Sequence, residues 1–129
     1  MKLDETTILV VEDEPILQQV CALWLKRGGY QKVFTASNGL EALLICEEHK
    51  VNVLITDIHM PKMDGVVLIR TIRERGLFIS GITVMSAYTD VNLVELSKLG
   101  VKKFLEKPFT SEILLDAVAT SLSEEAPQR

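Results

Sequence analysis

The stretch Val53-Leu-Ile-Thr-Asp-Ile-His-Met-Pro-Lys-Met-Asp-Gly65 runs four apolar or β-branched residues into a lone carboxylate, then into a turn. Four such residues with no polar alternation read as a strand buried on both faces, the habit of a parallel sheet covered by helices. Asp57 stands where that strand ends. One reading makes it a turn residue, since Asp favours turns beside Pro. The other holds it there to react, and the ends of the other strands decide between the two.

Outward from this stretch the chain alternates strand and helix. Thr7 to Val11 is a second unbroken β-type run. Asp13 is placed to cap the helix that follows, with Pro15 in its first turn and Gly28-Gly29 ending it. Gln31 to Ala36 is a weaker strand. Asn38 then caps a helix, with Glu41 at capping-box spacing. Val51 to Thr56 is the third strand, and Asp64 opens a helix that ends near Gly76. Gly81 to Met85 is the fourth strand, followed by a helix from about Asp90 to Leu99 that Gly100 stops. Lys102 to Glu106 is the fifth. Phe109 and Leu114 bracket Thr110 as a hydrophobic staple, starting a helix that buries Ile113, Leu114, Ala117, Val118 and Leu122. Residues 1–122 thus form one domain, and 123–129 read as a polar tail or linker stub.

Five β-α units imply an α/β fold, a doubly wound five-stranded parallel sheet with helices on both faces. The order expected is 2-1-3-4-5, flavodoxin-like, with ligands outside the carboxyl ends of strands 1 and 3. The composition agrees with one globular domain: 129 residues, 47% hydrophobic and 25% charged. A formal charge of -4 argues against direct nucleic-acid contact, which needs a basic stripe. No apolar run is long enough for a membrane span. Acids at Asp4 and Glu5 break any signal-peptide pattern. Cys21 and Cys46 lack metal-ligand spacing and read as buried small hydrophobes, so a cytoplasmic location is expected.

The strand ends carry the chemistry. Strand 1 runs into Glu12-Asp13, strand 3 into Asp57, strand 4 into Ser86 and strand 5 into Lys107-Pro108. Each residue alone has an ordinary turn or surface reading, but turn preference does not explain all of them on one edge. Three unpaired acids in one crevice repel one another unless a cation neutralises them. Hard oxygen donors on a shallow edge suit Mg²⁺, with Mn²⁺ as the alternative.

In these residues the sequence resembles the receiver domains of two-component response regulators, from about Thr7 to Leu122. The resemblance is carried by Val10-Val-Glu-Asp-Glu-Pro15, Asn38-Gly-Leu-Glu-Ala-Leu43, Asp57 to Gly65, Ser86-Ala87, Gly100 and Phe104-Leu-Glu-Lys-Pro-Phe109. It implies a phosphoacceptor module: a partner histidine kinase or phosphotransfer protein passes a phosphoryl group to Asp57. Glu12, Asp13, Asp57 and the backbone carbonyl of His59 would hold Mg²⁺, while Ser86 and Lys107 bind the phosphoryl oxygens. Ser86 and Phe104 would form the switch, and His59 and Tyr88 would set the lifetime of the phosphoryl group. The family also implies a cis Lys107-Pro108 bond and an output face at 90–122, where an output domain, a partner protein or a second copy docks. Such a domain is a signalling module and not an enzyme, although it assists its own phosphorylation and dephosphorylation.

The chain departs from the family pattern at Gly100-Val101-Lys102-Lys103, where the family usually has Ala and acids after the Gly. Two lysines there change the charge of the expected output face, or merely keep strand 5 soluble. Three rival readings fit less well. A phosphatase or mutase with an aspartyl nucleophile needs a second acid at the place of His59. A flavin carrier needs a glycine-rich phosphate cradle where Glu12-Asp13-Glu14 stand. A degenerate receiver used as an adaptor would lack site residues, and none is missing.

Overall fold

A computed structural model describes residues 2–87 and 93–123. The strands are β1 (Thr7–Val11), β2 (Lys32–Ala36), β3 (Val53–Asp57), β4 (Gly81–Ser86) and β5 (Val101–Glu106). The helices are α1 (Pro15–Arg27), α2 (Gly39–Glu48), α3 (Gly65–Glu74), α4 (Leu93–Lys98) and α5 (Ser111–Ser123). All strands are parallel, in the order β2-β1-β3-β4-β5. The expected topology is therefore the observed one, with its switch point between β1 and β3.

Why β1, β3 and β4 lack polar alternation is plain from the two cores. Ile8 and Val10 of β1 face α1 and α5, packing with Cys21, Leu25, Leu114 and Val118. Leu9 and Val11 face the other way, toward Leu43, Leu68, Ile72 and Leu96 of α2, α3 and α4. Successive side chains alternate faces, so a strand covered on both sides must be apolar throughout. Each fully buried Leu or Ile contributes about 1.5–3 kcal/mol relative to exposure. Cys21 and Cys46 are buried, unpaired thiols. Burial pushes both up to about 11, which leaves them inert as nucleophiles.

Several local expectations need correction. Glu14, not Asp13, caps α1: its carboxylate accepts from Leu17 N–H at 2.8 Å, with Pro15 at the first helical position. Both acids can cap; the extended backbone at Glu14 decides it. Asn38 caps α2 by accepting from Glu41 N–H at 3.0 Å. Glu41, however, reaches back to Ser37 N–H at 2.8 Å and not to the cap's own amide, so the box closes one residue early. Asp57 and Ser86 end their strands within the sheet instead of following it. Ile113 is about half exposed on the outer side of α5, while Leu114, Ala117 and Val118 fill the inner one. Thr110 accepts from Ile113 N–H at 3.2 Å, and Phe109 packs on the α1/α5 core as a staple should. The expected start of the fourth helix at Asp90, Tyr88 and residues 124–129 of the tail lie outside the described residues. No helix among the described residues is long and apolar enough to cross a membrane.

Candidate functional site

The carboxyl ends of β1, β3 and β5 converge on an open hollow of about 240 Å³, lined in part by Glu12, Asp13, Asp57, His59, Ala87 and Lys107. Register explains the convergence. Val11 pairs with Thr56 and Asp57 with Met85, so Glu12, Asp57 and Ser86 leave neighbouring strands at nearly one level. Lys107 follows one residue after Glu106, the rung opposite Ser86, and its N–H donates to the Ser86 carbonyl at 2.8 Å. The Lys107-Pro108 peptide is cis, as the resemblance implied.

Within the hollow the Lys107 ammonium donates to Glu12 Oε1 at 2.7 Å and to Asp57 Oδ2 at 3.0 Å. Glu12 is 1% exposed and its second oxygen accepts from Glu14 N–H at 3.0 Å. Burial pushes the Glu12 carboxyl above its ordinary range; the bonds from Lys107 and Glu14 pull it back, and the Asp57 charge raises it again. Burial would lower the Lys107 ammonium, but its bonds to the two carboxylates prevail and hold it above the ordinary value. Asp13 is exposed and makes no hydrogen bond or ion pair among the described residues.

One oxygen from each of Glu12, Asp13 and Asp57 lies within 4.8 Å of the others. Among the described residues three carboxylates face one ammonium, which leaves an excess of negative charge on hard oxygen donors. No sulfur or imidazole nitrogen belongs to the set. Such a set fits a divalent oxygen-seeking cation better than a transition metal.

The Asp57 backbone is tightly confined. Gly65, the first residue of α3, donates its N–H to Ile58 O at 2.8 Å, and a Cβ there would meet the Asp57 carbonyl oxygen at 2.3 Å. Lys62, in the loop between them, has φ +70, a left-handed conformation. Gly39 N–H donates to Met63 O at 3.2 Å and seats this loop on the start of α2.

The structure thus brings Glu12, Asp13, Asp57 and Lys107 together, with exposed His59 on the hollow's rim and Ser86 fully buried beside it. Phe104 stands apart: half-buried on β5, it lines a separate groove with Leu93, Leu96 and Val101. Lys102 donates to Ser121 O of α5 at 3.0 Å, so one of the two unusual lysines is held by the fold. The sequence reading missed Gln18, a buried amide behind the acidic turn. The signal was available, because Gln18 precedes Cys21, Ala22 and Leu25 at helical spacing and so lies on the core face.

A 2-1-3-4-5 sheet with an acidic crevice at its switch point and a lysine holding the strand-end aspartate defines the class: a flavodoxin-like α/β domain built around one carboxylate. The chain belongs to the response regulator receiver domain family, whose model matches residues 8–119, and is a signalling module of two-component systems. It is 33% identical over 112 residues to the "Probable C4-dicarboxylate response regulator DctR" of Halalkalibacterium halodurans, covering 86% of this chain and 49% of that protein. It is 32% identical over 117 residues to the transcriptional regulatory protein PdtaR of Mycobacterium tuberculosis, covering 90% and 56%. The chain spans about half the length of these curated relatives. Among solved structures, chemotaxis protein CheY4 of Vibrio cholerae superposes with a TM-score of 0.84 at 28% identity, covering 91% of this chain and 98% of that one.

Proposed function

We propose that the chain accepts a phosphoryl group on Asp57 from the phosphohistidine of a partner kinase or phosphotransfer protein, in a Mg²⁺-dependent reaction. The switch in conformation that follows controls a downstream output. One observation carries this reading: the Asp57 carboxylate ends a buried strand with Lys107 Nζ at 3.0 Å and two further carboxylates within 4.8 Å.

Phosphoryl transfer asks a protein for in-line positioning and charge neutralisation more than for covalent chemistry. Lys107 holds Oδ2, and no hydrogen bond falls on Oδ1 among the described residues. An Asp57 oxygen attacks the phosphorus, the N–P bond breaks, and the imidazole of the donor leaves with its electron pair. Glu12, Asp13, Asp57 and the His59 carbonyl would hold Mg²⁺, which when bound neutralises the charge gathering on the phosphoryl oxygens. Lys107 turns from the carboxylates to a phosphoryl oxygen, and the Ser86 hydroxyl closes on another by a charge-assisted hydrogen bond. Phe104 moves inward behind Ser86. This alters the groove it shares with α4, part of the 90–122 face where an output domain, partner protein or second copy docks. The domain works in the cytoplasm and assists its own phosphorylation and dephosphorylation without turning over a separate substrate.

The test is intact-mass spectrometry after incubation with acetyl phosphate and Mg²⁺. Wild type gains one phosphoryl group and Asp57→Ala gains none. Equal labelling of both would place the acceptor elsewhere.

A further inference from the structure

The core face of α1 is apolar except at its site end. Cys21, Ala22 and Leu25 are buried there, and Gln18, one turn nearer the hollow, is buried with them. An apolar residue of that size would suit the position as well, since a buried amide costs about 1–3 kcal/mol unless it is hydrogen-bonded. The Gln18 side chain answers that cost with a specific set of bonds. Its Nε2 lies within hydrogen-bond distance of Glu12 O at 2.9 Å, Ala36 O at 3.1 Å and Ser37 Oγ at 3.3 Å, its two hydrogens shared among the three. These three acceptors lie at the exits of β1 and β2.

The Glu12 carbonyl belongs to the peptide that joins Glu12 to Asp13. That peptide is planar, so fixing its oxygen fixes the direction in which the chain enters Asp13. On its other side the Glu12 N–H is already held by Ala36 O at 3.0 Å. The two acids differ in what orients their side chains. Glu12 is gripped by Lys107 and by Glu14 N–H, whereas Asp13 has no side-chain partner among the described residues. The place of the Asp13 carboxylate is therefore set by its backbone, and Gln18 grips that backbone.

We propose that Gln18 is a positioning residue for Asp13: it locks the Glu12–Asp13 peptide so that the exposed carboxylate faces Glu12 and Asp57 at ligand distance. This rests on the reading of the three acids as a cation site. It adds a residue outside the hollow, one that touches neither the cation nor the phosphoryl group. Partners that orient metal ligands commonly change affinity 10- to 100-fold when removed, and a partly open site places the effect at the lower end.

The test is calorimetric Mg²⁺ titration of wild type, Gln18→Met, Asp13→Asn and the double variant, with urea unfolding alongside. Gln18→Met keeps length and helix propensity; Gln18→Leu is carried in parallel should Met fail to fold. The expected result is Mg²⁺ affinity weakened about tenfold in Gln18→Met, and little further loss when Gln18→Met is added to Asp13→Asn. The cycle separates the roles, because residues acting through one another are non-additive while a general loosening of the fold weakens both backgrounds alike. Equal losses in the two backgrounds would overturn the inference, as would unchanged affinity in Gln18→Met. Wild type that binds no Mg²⁺ would instead remove the cation-site reading on which it stands.

Discussion

Replacing Lys107 with methionine removes the cation that bridges Glu12 and Asp57 among the described residues and leaves the volume nearly unchanged. Lys107 lies 2.7 Å from a carboxylate that is 1% exposed and 3.0 Å from one that is 8% exposed, while its own side chain is 17% exposed. Breaking a fully buried pair by removing one partner costs about 3–5 kcal/mol, and breaking a surface pair costs about 0.2–1. The hollow is open to water on one side, so the expected cost at pH 7 is about 2 kcal/mol, between those limits. For a chain of this size that corresponds to a fall of about 8 °C in Tm. The pH dependence gives the sharper signature. Lys107 is raised above its usual 10.5, so its contribution is present in full below that value and is lost as pH rises through the folded-state pKa. At the acid end Glu12, already raised by burial, takes up a proton and no longer needs the ammonium. The gap between wild type and Lys107→Met is therefore a plateau around neutrality that closes in both directions. Urea unfolding followed by far-ultraviolet circular dichroism across the pH range measures it. Equal midpoints at pH 7, or a gap that persists unchanged into acid, would refute the electrostatic account.

Three further outcomes are expected. Thr83 Oγ1 on β4 is buried with no hydrogen-bond partner among the described residues, so Thr83→Val should stabilise the fold by about 1–2 kcal/mol, read as a higher urea midpoint at unchanged slope. Lys62 occupies the left-handed region at φ +70, so Lys62→Gly should raise stability by about 0.5–1 kcal/mol in the same assay. His59 stands on the rim of the hollow, and on the proposed reading its imidazole would crowd the water that attacks the phosphorus. His59→Ala and His59→Asn should lose the phosphoryl group faster than wild type, and slower decay in either would show that His59 promotes hydrolysis.

What could be read from the sequence was whatever depends on order along the chain. The apolar runs of β1, β3 and β4 fixed the buried parallel sheet, and the residues closing each strand then fell on one edge because parallel strands all end on the same side. What could not be read depends on who meets whom across the fold. Asp13 and Glu14 are equally able to cap α1, and only the backbone at Glu14 chooses. Glu41 has capping-box spacing, yet its reach to Ser37 follows from the path of the chain out of β2. Ile113 fits the helical period of α5 but falls outside the stripe that α1 and the sheet cover. The burial of Glu12 is tertiary in origin, since its burial partner Lys107 lies 95 residues away. Gln18 is one more polar letter in a helix until Ala36 and Ser37 are seen beside it.

The contact between Gly65 and the Asp57 carbonyl has a mechanical consequence. With a missing side chain on one side and the Gly65–Ile58 bond closing the loop, the Asp57 peptide has almost no room to travel. On the proposed reading, then, the phosphorylated residue is an anchor and the response must come to it. The groups that would do so hang from the next two strands, and they are tethered: the Lys107 amide holds the Ser86 carbonyl at 2.8 Å. A pull on either one reaches the other, so the hydroxyl and the ammonium advance as a pair and the ends of β4 and β5 move with them.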